Sequence, residues 1–270
     1  MVKNTMKTTE SEYQRQARHQ LRKRPWKVLA AGCLTIYLAA VSPHANAECE
    51  PAQGSSITEL PDFACLDTGE IASLYASPAS YRIMRKGKRI GTHNIQFEKS
   101  TINSAELIAV SVKSRIRVTV LKVPVFTFDY QATEIWEDGT LQKVEAATTE
   151  NSKKTAVSAV REGVEFLLQQ NGKSETVSDL DYSSNHWNPA VLRSTSLFNT
   201  LTGKKNSVEL EKLGVSQLDL PAGNIEATHF RYSGDLQAEV WYDNSGRWVQ
   251  LRFEGNDGST IFYQLENQAS

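Results

Sequence analysis

The feature that most constrains the fold is a hairpin signature that occurs twice in the chain. Glu134-Ile135-Trp136-Glu137-Asp138-Gly139 returns 105 residues later as Glu239-Val240-Trp241-Tyr242-Asp243-Asn244-Ser245-Gly246. In each copy, alternation places Glu and Trp on one face of a strand and the β-branched residue on the other. The Gly that follows supplies the positive φ of a tight turn. Each half of the chain is therefore predicted to contain a similar β-hairpin.

Apolar and polar residues alternate along most of the chain beyond this signature. The longest run, residues 105–136, is interrupted by Pro124 and is predicted to be two strands, or one strand with a bulge or an edge position. Asn171-Gly172 is a type I′ hairpin signal. Short turns between consecutive strands predict antiparallel neighbours. The predicted fold class is mainly β: a curved antiparallel meander sheet or a partly open β-barrel, with one or two covering helices.

Two segments carry helix signals. Ile71, Leu74 and Tyr75 have helical spacing, which predicts a helix over 68–77 that Pro78 ends. Asn188-Pro189 combines a favoured N-cap residue with Pro at the first helical position, which predicts a helix over 189–202 with Gly203 as its stop. The apolar stripe of this second helix is Val191, Leu192, Phe198 and Leu201.

The first 47 residues have the organisation of a secretory signal peptide. A basic stretch at 22–27 precedes an apolar run at 28–41, and Ala45-Asn46-Ala47 matches the small-x-small cleavage pattern. Cleavage after Ala47 predicts a periplasmic or secreted protein. The apolar run is shorter than the about 20 residues that span a bilayer. An uncleaved leader, which would be the chain's membrane contact, and a lipoprotein modified at Cys33 are the alternatives.

Removal of this leader divides the rest of the chain into two regions. Residues 48–79 are predicted to be an N-terminal arm with one short helix, and 80–270 a single antiparallel β domain. The alternative is two similar halves with the helix 189–202 between them. The leader contains eight of the 30 Lys and Arg residues and two of the 31 Asp and Glu residues, so 22 positive and 29 negative residues remain, a net charge of −7. An acidic balance argues against nucleic acid and against an anionic membrane surface as partners.

Two cysteines remain after cleavage at Ala47. Cys49 and Cys65 would lie in an oxidising compartment and close a short loop, so a disulfide is predicted, worth on the order of 3 kcal/mol. A redox pair is the alternative, but the spacing lacks the C-x-x-C arrangement that lowers a thiol pKa. The disulfide would attach the mature N-terminus to the domain.

No motif in the sequence indicates catalysis, a metal or a cofactor. His93, His186 and His229 lie far apart and form no H-E-x-x-H or His/Cys pattern, and no nucleophile elbow or P-loop is present. We therefore predict no catalytic residue, no metal site and no cofactor. Two hydrolase alternatives remain: His186 oriented by Asp181, or Glu134 and Glu239 meeting in one cavity. We expect instead that Glu134 and Glu239 each occupy an outward or cross-strand position beside Lys or Arg, and that they do not meet.

An aromatic stripe gives the candidate ligand-binding residues. Phe126, Phe128, Tyr130 and Trp136 share one strand face with Glu134. Trp241 is the counterpart of Trp136 in the second hairpin, and both Trp residues are expected on the packed face of the sheet. Trp187 lies in the polar loop Ser183–Pro189, which is interpreted as anchoring the helix by burying Trp187; the alternative is a loop that closes over a ligand.

Several of these segments resemble an uncharacterised family of exported bacterial proteins. The residues that carry the resemblance are Tyr81-Arg82-Ile83, Lys88–His93, Glu134–Leu141, Asn185–Asn188, Ala238–Asp243 and Gly246–Val249, and it covers roughly residues 80–266. The family is a domain of unknown function, so it implies no activity. More distantly, the hairpins resemble those of periplasmic lipoprotein carriers, which implies an unclosed β-barrel with a helical lid over an apolar cavity.

The leading hypothesis is an exported, non-enzymatic protein that binds an apolar or amphipathic ligand, such as a lipid, or a partner chain on a concave sheet. The alternative is an envelope structural or assembly protein that recruits a partner protein by strand-edge pairing. A hydrolase is the third hypothesis.

Overall fold

The computed structural model of the protein describes residues 57, 59–255 and 257–267. The predicted signal peptide, its cleavage site and Cys49 lie outside these residues. The disulfide between Cys49 and Cys65 therefore stays a prediction.

The described chain contains one α-helix, two short 3₁₀ turns and a long series of strands. Helix α1 is Thr68–Ser73, and the 3₁₀ turns are Asp62–Cys65 and Pro189–Arg193. The first strands are β1 Ala79–Arg85, β2 Lys88–Ile102, β3 Ala105–Val120, β4 Val123–Glu137, β5 Thr140–Glu150, β6 Lys153–Glu162, β7 Glu165–Gln170 and β8 Lys173–Val177. The others are β9 Ser196–Asn199, β10 Lys204–Leu220, β11 Gly223–Gly234, β12 Ala238–Asp243, β13 Trp248–Glu254 and β14 Thr260–Leu265.

All 14 strands form one antiparallel sheet that does not close. Its order is β8-β7-β6-β5-β4-β3-β2-β1-β14-β13-β12-β11-β10-β9, so the first and last strands pair at its centre. The chain builds one arm outward from β1 to β8 and the other inward from β9 to β14. This confirms the predicted fold class, a mainly β antiparallel meander.

Both copies of the repeated signature form the predicted hairpins. The first connects β4 to β5, with Asp138 and Gly139 at φ 46° and 73°; the second connects β12 to β13, with Gly246 at φ 93°. In each hairpin the register shifts beside the Trp, between Ile135 and Trp136 and between Trp241 and Tyr242. Such bulges increase the local twist of a sheet.

Pro124 is the second residue of β4 and follows the two-residue turn Leu121-Lys122. The predicted run of residues 105–136 is two strands, β3 and β4, which pair from Leu107 and Glu137 to Val120 and Val123. The register shifts between Val118 and Thr119, opposite the Pro. The bulge accommodates a residue that cannot donate to the ladder.

Helix α1 begins at a capping box. The Asp67 side chain accepts a hydrogen bond from the Gly69 amide at 2.7 Å, and the Glu70 side chain accepts one from the Asp67 amide at 3.0 Å. The helix ends at Ser73, four residues before the predicted end. Tyr75 nevertheless turns inward, where its hydroxyl donates to the Trp187 carbonyl at 2.6 Å and accepts from the Trp248 amide at 2.8 Å.

The helix predicted over 189–202 is wrong. Its start is correct, because Asn188 caps the Ala190 amide at 3.0 Å, but the turn is 3₁₀ and ends at Arg193. Residues Ser196–Asn199 then form strand β9, which pairs with residues 204–207 of β10. Strand pairing satisfies these backbone groups, so the apolar stripe at helical spacing lies partly in a strand.

Residues 178–195 connect the two edges of the sheet, and we call them the bridging segment. They pack against the sheet face that carries Glu134 and Trp136, which we call the inner face. Leu180, Trp187, Val191 and Leu192 are at most 1% exposed, and they belong to one hydrophobic cluster with residues from both arms. The chain itself therefore fills much of the inner face.

Candidate functional site

The aromatic stripe of β4 runs from a filled region of the inner face to an open one. Tyr130 and Trp136 are buried, whereas Phe126 and Phe128 are only partly buried against the core. The rings of Phe128 and Tyr130 stack with centroids 6.4 Å apart and an interplanar angle of 11°. The stripe therefore becomes accessible at Phe128.

A pocket of about 340 Å³ lies beside Phe128. Leu201, which is 46% exposed, contributes the second apolar side chain. The polar and charged part of the lining comes from the neighbouring strands and includes Thr148, Glu150, Lys153 and Gln170. One apolar side and one charged side give the pocket an amphipathic character.

Deeper along the same face, Glu134 is completely buried. Its Oε2 accepts hydrogen bonds from the indole N–H groups of Trp187 at 2.8 Å and Trp136 at 3.1 Å. Its Oε1 accepts from the Asn185 amide nitrogen at 2.6 Å and from the Ser183 hydroxyl. All four donors are neutral. Because both oxygens are occupied by the protein's own donors, this carboxyl group is bound as a structural element.

Tyr130 extends the network toward the pocket. Its hydroxyl lies 2.8 Å from both Asn185 Oδ1 and Thr200 Oγ1. Burial raises the pKa of Tyr130. The neutral phenol therefore fixes the orientation of Asn185, which in turn holds Glu134.

Glu239 lies in a separate environment on the opposite, outer face. Its side chain is within 3.1 Å of His229 and of Arg252 and within 3.5 Å of Arg231. It shares none of these partners with Glu134. The two carboxyl groups therefore form no catalytic pair. The expected arrangement beside cationic residues is correct for Glu239 and wrong for Glu134.

Trp241 also lies on the outer face, yet it is only 6% exposed and belongs to the hydrophobic core cluster. Both repeat Trp residues are therefore packed as expected, but on opposite faces of the sheet. The Trp241 ring stacks on His229 with centroids 3.9 Å apart. Val240 and Tyr242 fill the inner face instead, and both are completely buried. Of the candidate ligand-binding residues, the structure brings Phe126, Phe128, Tyr130, Trp136 and Trp187 onto the inner face and leaves Trp241 apart.

The part of the bridging segment that contains Trp187 is held against the inner face and is buried. The Trp187 ring makes edge contacts with Phe97 and Trp136, with centroids 5.2 and 5.6 Å away. The Tyr242 hydroxyl donates to the His186 carbonyl at 2.9 Å. The loop thus agrees with the interpretation that it buries Trp187.

Two buried histidines lie in an aromatic cluster beside this loop. His93 Nδ1 is 2.6 Å from Ser114 Oγ, and its ring packs against Tyr81 and Trp248. Burial lowers the pKa of His93 to about 3, with a smaller contribution from His186. Burial also lowers the pKa of His186 to about 4. Both rings are therefore neutral near pH 7, and in the described part of the chain His93 Nε2 and His186 Nδ1 have no hydrogen-bond partner.

The alternative of His186 oriented by Asp181 finds no support in the contacts. Asp181 binds Arg161 at 3.2 Å, and its side chain is 65% exposed, whereas His186 is buried. Within the described ranges, no group of three or more His, Cys, Asp or Glu side chains is arranged to hold a metal ion. No helix among the described residues is long and apolar enough to cross a membrane.

A second depression, of about 450 Å³, lies on the outer face across β2 to β5. Its lining is polar, and the Arg115–Asp129 ion pair at 3.1 Å lies within it. It has no aromatic side chain apart from Tyr130, whose ring is directed to the inner face. The pocket beside Phe128 is therefore the better candidate for an apolar ligand.

The sequence pattern did not indicate Leu201 as a lining residue, because helical spacing placed it in the apolar stripe of a predicted helix. It also missed the Glu134 network. Ser183, Asn185 and Trp187 lie about 50 residues from Glu134 in the sequence, and no local pattern indicates that they meet.

Comparison with known proteins places the chain in a family without assigning an activity. No curated protein matches it. Among solved structures it is similar to a beta-barrel-like protein of domain of unknown function DUF1849 from Brucella abortus, at 12% identity, a TM-score of 0.48, and coverage of 72% of this chain and 98% of that chain. Residues 81–266 match the family described as domain of unknown function DUF6134. Because this match spans more than half of the chain and confirms the resemblance to an uncharacterised family, the protein belongs to the DUF6134 family.

Proposed function

We propose that the protein is an exported, non-enzymatic binding protein that holds a small amphipathic ligand in the pocket beside Phe128. The observation that carries the proposal is the change along β4: Tyr130 and Trp136 are covered by the protein itself, whereas Phe128 faces an open pocket. Sites for small molecules combine an apolar lining with a few polar groups.

The size and lining of the pocket define the ligand class. A volume of about 340 Å³ is near the lower end of the roughly 300–1,000 Å³ typical of ligand sites. Phe128 and Leu201 supply contacts for an apolar chain, and Glu150 and Lys153 supply charges for a polar head. A single acyl chain with a small polar head, such as a fatty acid, fits this description better than a lipid with several chains.

The non-enzymatic part of the proposal rests on the state of the buried polar groups. Glu134 is occupied by four donors, and the buried His93 and His186 are surrounded by aromatic rings. None of these groups lines the pocket. A general acid or base must reach the substrate proton, directly or through one water.

Strand-edge recruitment of a partner receives less support. Edge strand β8 has only five residues and carries Lys173 and Glu175. The other edge, β9, is covered by the bridging segment, because the Phe198 amide and carbonyl bond the backbone of Tyr182 and Ser184 at 2.9 Å. Short, charged or covered edges are how proteins prevent edge pairing.

The test measures binding of dansyl-undecanoic acid by fluorescence, together with native mass spectrometry and lipid extraction of protein purified without detergent. We expect saturable binding that Leu201→Gln weakens by roughly tenfold, since burying a Leu side chain contributes about 1.5–3 kcal/mol. Val164→Gln is the matched control, because Val164 is also exposed, at 84%, and lies outside the pocket. Ligand-free protein that binds no probe, or equal effects of the two variants, would overturn the proposal.

A further inference from the structure

We propose that the tip of the β3–β4 hairpin docks on the surface of an anionic phospholipid membrane. The inference concerns residues 117–127, which we call the tip ribbon, and it does not depend on the pocket proposed above.

The tip ribbon extends beyond the sheet. The last residue of β3 that pairs with β2 is Ile116, and the last residue of β4 that pairs with β5 is Phe128. Residues 117–127 pair with each other, from Arg117 and Thr127 to Val120 and Val123. At the base of the ribbon, the Thr127 carbonyl also accepts from the Asn151 amide at 2.9 Å, and the Thr127 amide donates to Asn151 Oδ1 at 2.9 Å. A two-stranded ribbon without further strands is marginally stable in water.

The ribbon exposes large apolar side chains. The described residues include seven large apolar side chains that are exposed, and four of them are in the ribbon: Val120 at 55%, Leu121 at 92%, Val123 at 60% and Val125 at 54%. Concentration of exposed apolar area in one place marks an interaction site. Because these side chains protrude from a tip and do not line a groove, they are suited to insertion into the interfacial region of a lipid bilayer.

The turn at the tip carries a local strain that an apolar function would explain. Leu121 and Lys122 have φ 51° and 68°, the two positive values of a type I′ turn. Each of the other turns in the same arm with two positive φ values has Asn or Gly in at least one of these positions, such as Asn171-Gly172 at 48° and 80°. Leu is an unfavourable residue for this conformation, so its presence at the tip indicates a role other than turn formation.

Charge identifies the partner. From 113 to 128 the chain contains Lys113, Arg115, Arg117 and Lys122 and no Asp or Glu. The next residue, Asp129, pairs with Arg115 and Arg117 at 3.1 and 2.5 Å. The ribbon itself carries Arg117 and Lys122 and no acidic residue, and residues 113–129 together have four cationic residues and one acidic residue, a net charge of +3, in a chain whose residues 48–270 carry a net charge of −7. Apolar tips flanked by cationic residues bind anionic lipid surfaces through both contributions. The acidic overall balance does not describe this end of the molecule.

The test is flotation of the full chain with vesicles of equimolar phosphatidylglycerol and phosphatidylcholine, and with phosphatidylcholine alone, at low and high salt. We expect binding to the anionic vesicles that weakens at high salt. The double variant Leu121→Asp with Val123→Asp should lower the partition coefficient by at least about tenfold, and Lys122→Gln by about fivefold.

Two measurements distinguish insertion from other effects. Val164→Asp with Val215→Asp is the matched control, since both residues are exposed apolar side chains on other strands or turns, and it should leave binding unchanged. Leu121→Trp should show a blue-shifted emission with vesicles and quenching by brominated acyl chains. Failure of the wild-type chain to float with anionic vesicles, or equal losses in both double variants, would overturn the proposal. So would a tip-dependent self-association or protein contact without vesicle binding.

Discussion

At the scale of single residues, Glu134 is held by hydrogen bonds and not by a countercharge. Its two oxygens accept from two indoles, an amide and a hydroxyl, all within a completely buried site. A hydrogen bond contributes about 0.5–1.5 kcal/mol net, and a buried donor left without an acceptor costs about 1–3 kcal/mol. The network therefore connects β4 to the bridging segment and fixes the Trp187 side chain in one orientation.

Replacement of Glu134 tests this structural role. Glu134→Gln preserves the shape but presents an NH₂ group to donors that need an acceptor, so the free energy of unfolding should fall by about 2–4 kcal/mol. Urea denaturation followed by Trp fluorescence measures the change. Glu145→Gln on the adjacent strand is the control; its side chain is 59% exposed, and a change within about 0.5 kcal/mol is expected. A neutral Glu134→Gln would contradict the role.

The buried histidines give the fold a defined response to acid. The pKa of His93 is about 3 and that of His186 about 4 in the folded state, below the ordinary value near 6.5. The unfolded chain therefore binds more protons below pH 6.5, and folding stability falls as the pH is lowered. Each histidine should reduce the free energy of unfolding by about 2 kcal/mol between pH 7 and pH 5.

Urea titrations at pH 7 and pH 5 measure this dependence, and His93→Gln or His186→Gln should flatten it. His229→Gln is the control. Burial lowers the pKa of His229 too, but its bond to Glu239 raises it, so its contribution is smaller. A pH dependence that is equally steep in the variants would assign the acid sensitivity to other groups.

At the scale of elements, the tip turn of the β3–β4 hairpin is less stable than a turn with favoured residues would be, and it exposes an apolar Leu side chain. Replacing Leu121-Lys122 with Asn-Gly supplies the residues that type I′ turns favour, and it should raise the free energy of unfolding by up to about 1 kcal/mol. Chemical denaturation measures the gain. The reverse exchange, Asn171-Gly172 to Leu-Lys in the β7–β8 turn, should lower stability by a similar amount. An unchanged or lower stability in the tip variant would show that the turn is not strained.

The elements that the sequence predicts correctly are those whose signals are local. Asn171-Gly172 and Asp138-Gly139 adopt the positive φ values that the hairpin signal requires. The N-cap signal at Asn188 is correct, but the prediction of a helix over 189–202 is wrong. Strand pairing with a distant segment determines the structure after Arg193, because Phe198 pairs with Lys205 of β10 and bridges to Ser183. The spacing of apolar residues in one segment does not indicate that a distant strand will pair with it.

The face of each hairpin is also decided outside the local sequence. Alternation correctly places Glu134 with Trp136 and Glu239 with Trp241. It cannot state which face is inward, and the two copies differ: Glu134 meets the bridging segment, whereas Glu239 meets His229 and two arginines. The pocket is likewise only partly predictable, because Phe128 lies in a recognised stripe while Leu201 comes from another turn.

At the scale of the whole molecule, the bridging segment joins two arms. Among the described residues, the only strands that pair between these arms are β1 and β14. Trp187 contacts Trp136 and Phe97 of the first arm, and its carbonyl accepts from Tyr75, which also binds the Trp248 amide of the second arm. His186 adds a bond from Tyr242. One short segment thus couples opposite sides of an open sheet and replaces the closure that a barrel would provide.

Removal of Trp187 should therefore weaken both arms together. Trp187→Ala is expected to lower the free energy of unfolding by about 3–5 kcal/mol, because it creates a cavity and leaves Glu134 with one donor fewer. Amide hydrogen exchange should report lost protection in β4 and in β12 alike. Trp241→Ala is the matched control: this ring is also buried, but it stacks on His229 of β11, so a comparable loss of stability should come with lost protection confined to β11 and β12. If exchange after Trp187→Ala increases in the first arm alone, the coupling of the arms must be carried by the β1–β14 pairing, and the bridging segment is a cover for one arm rather than a link between two.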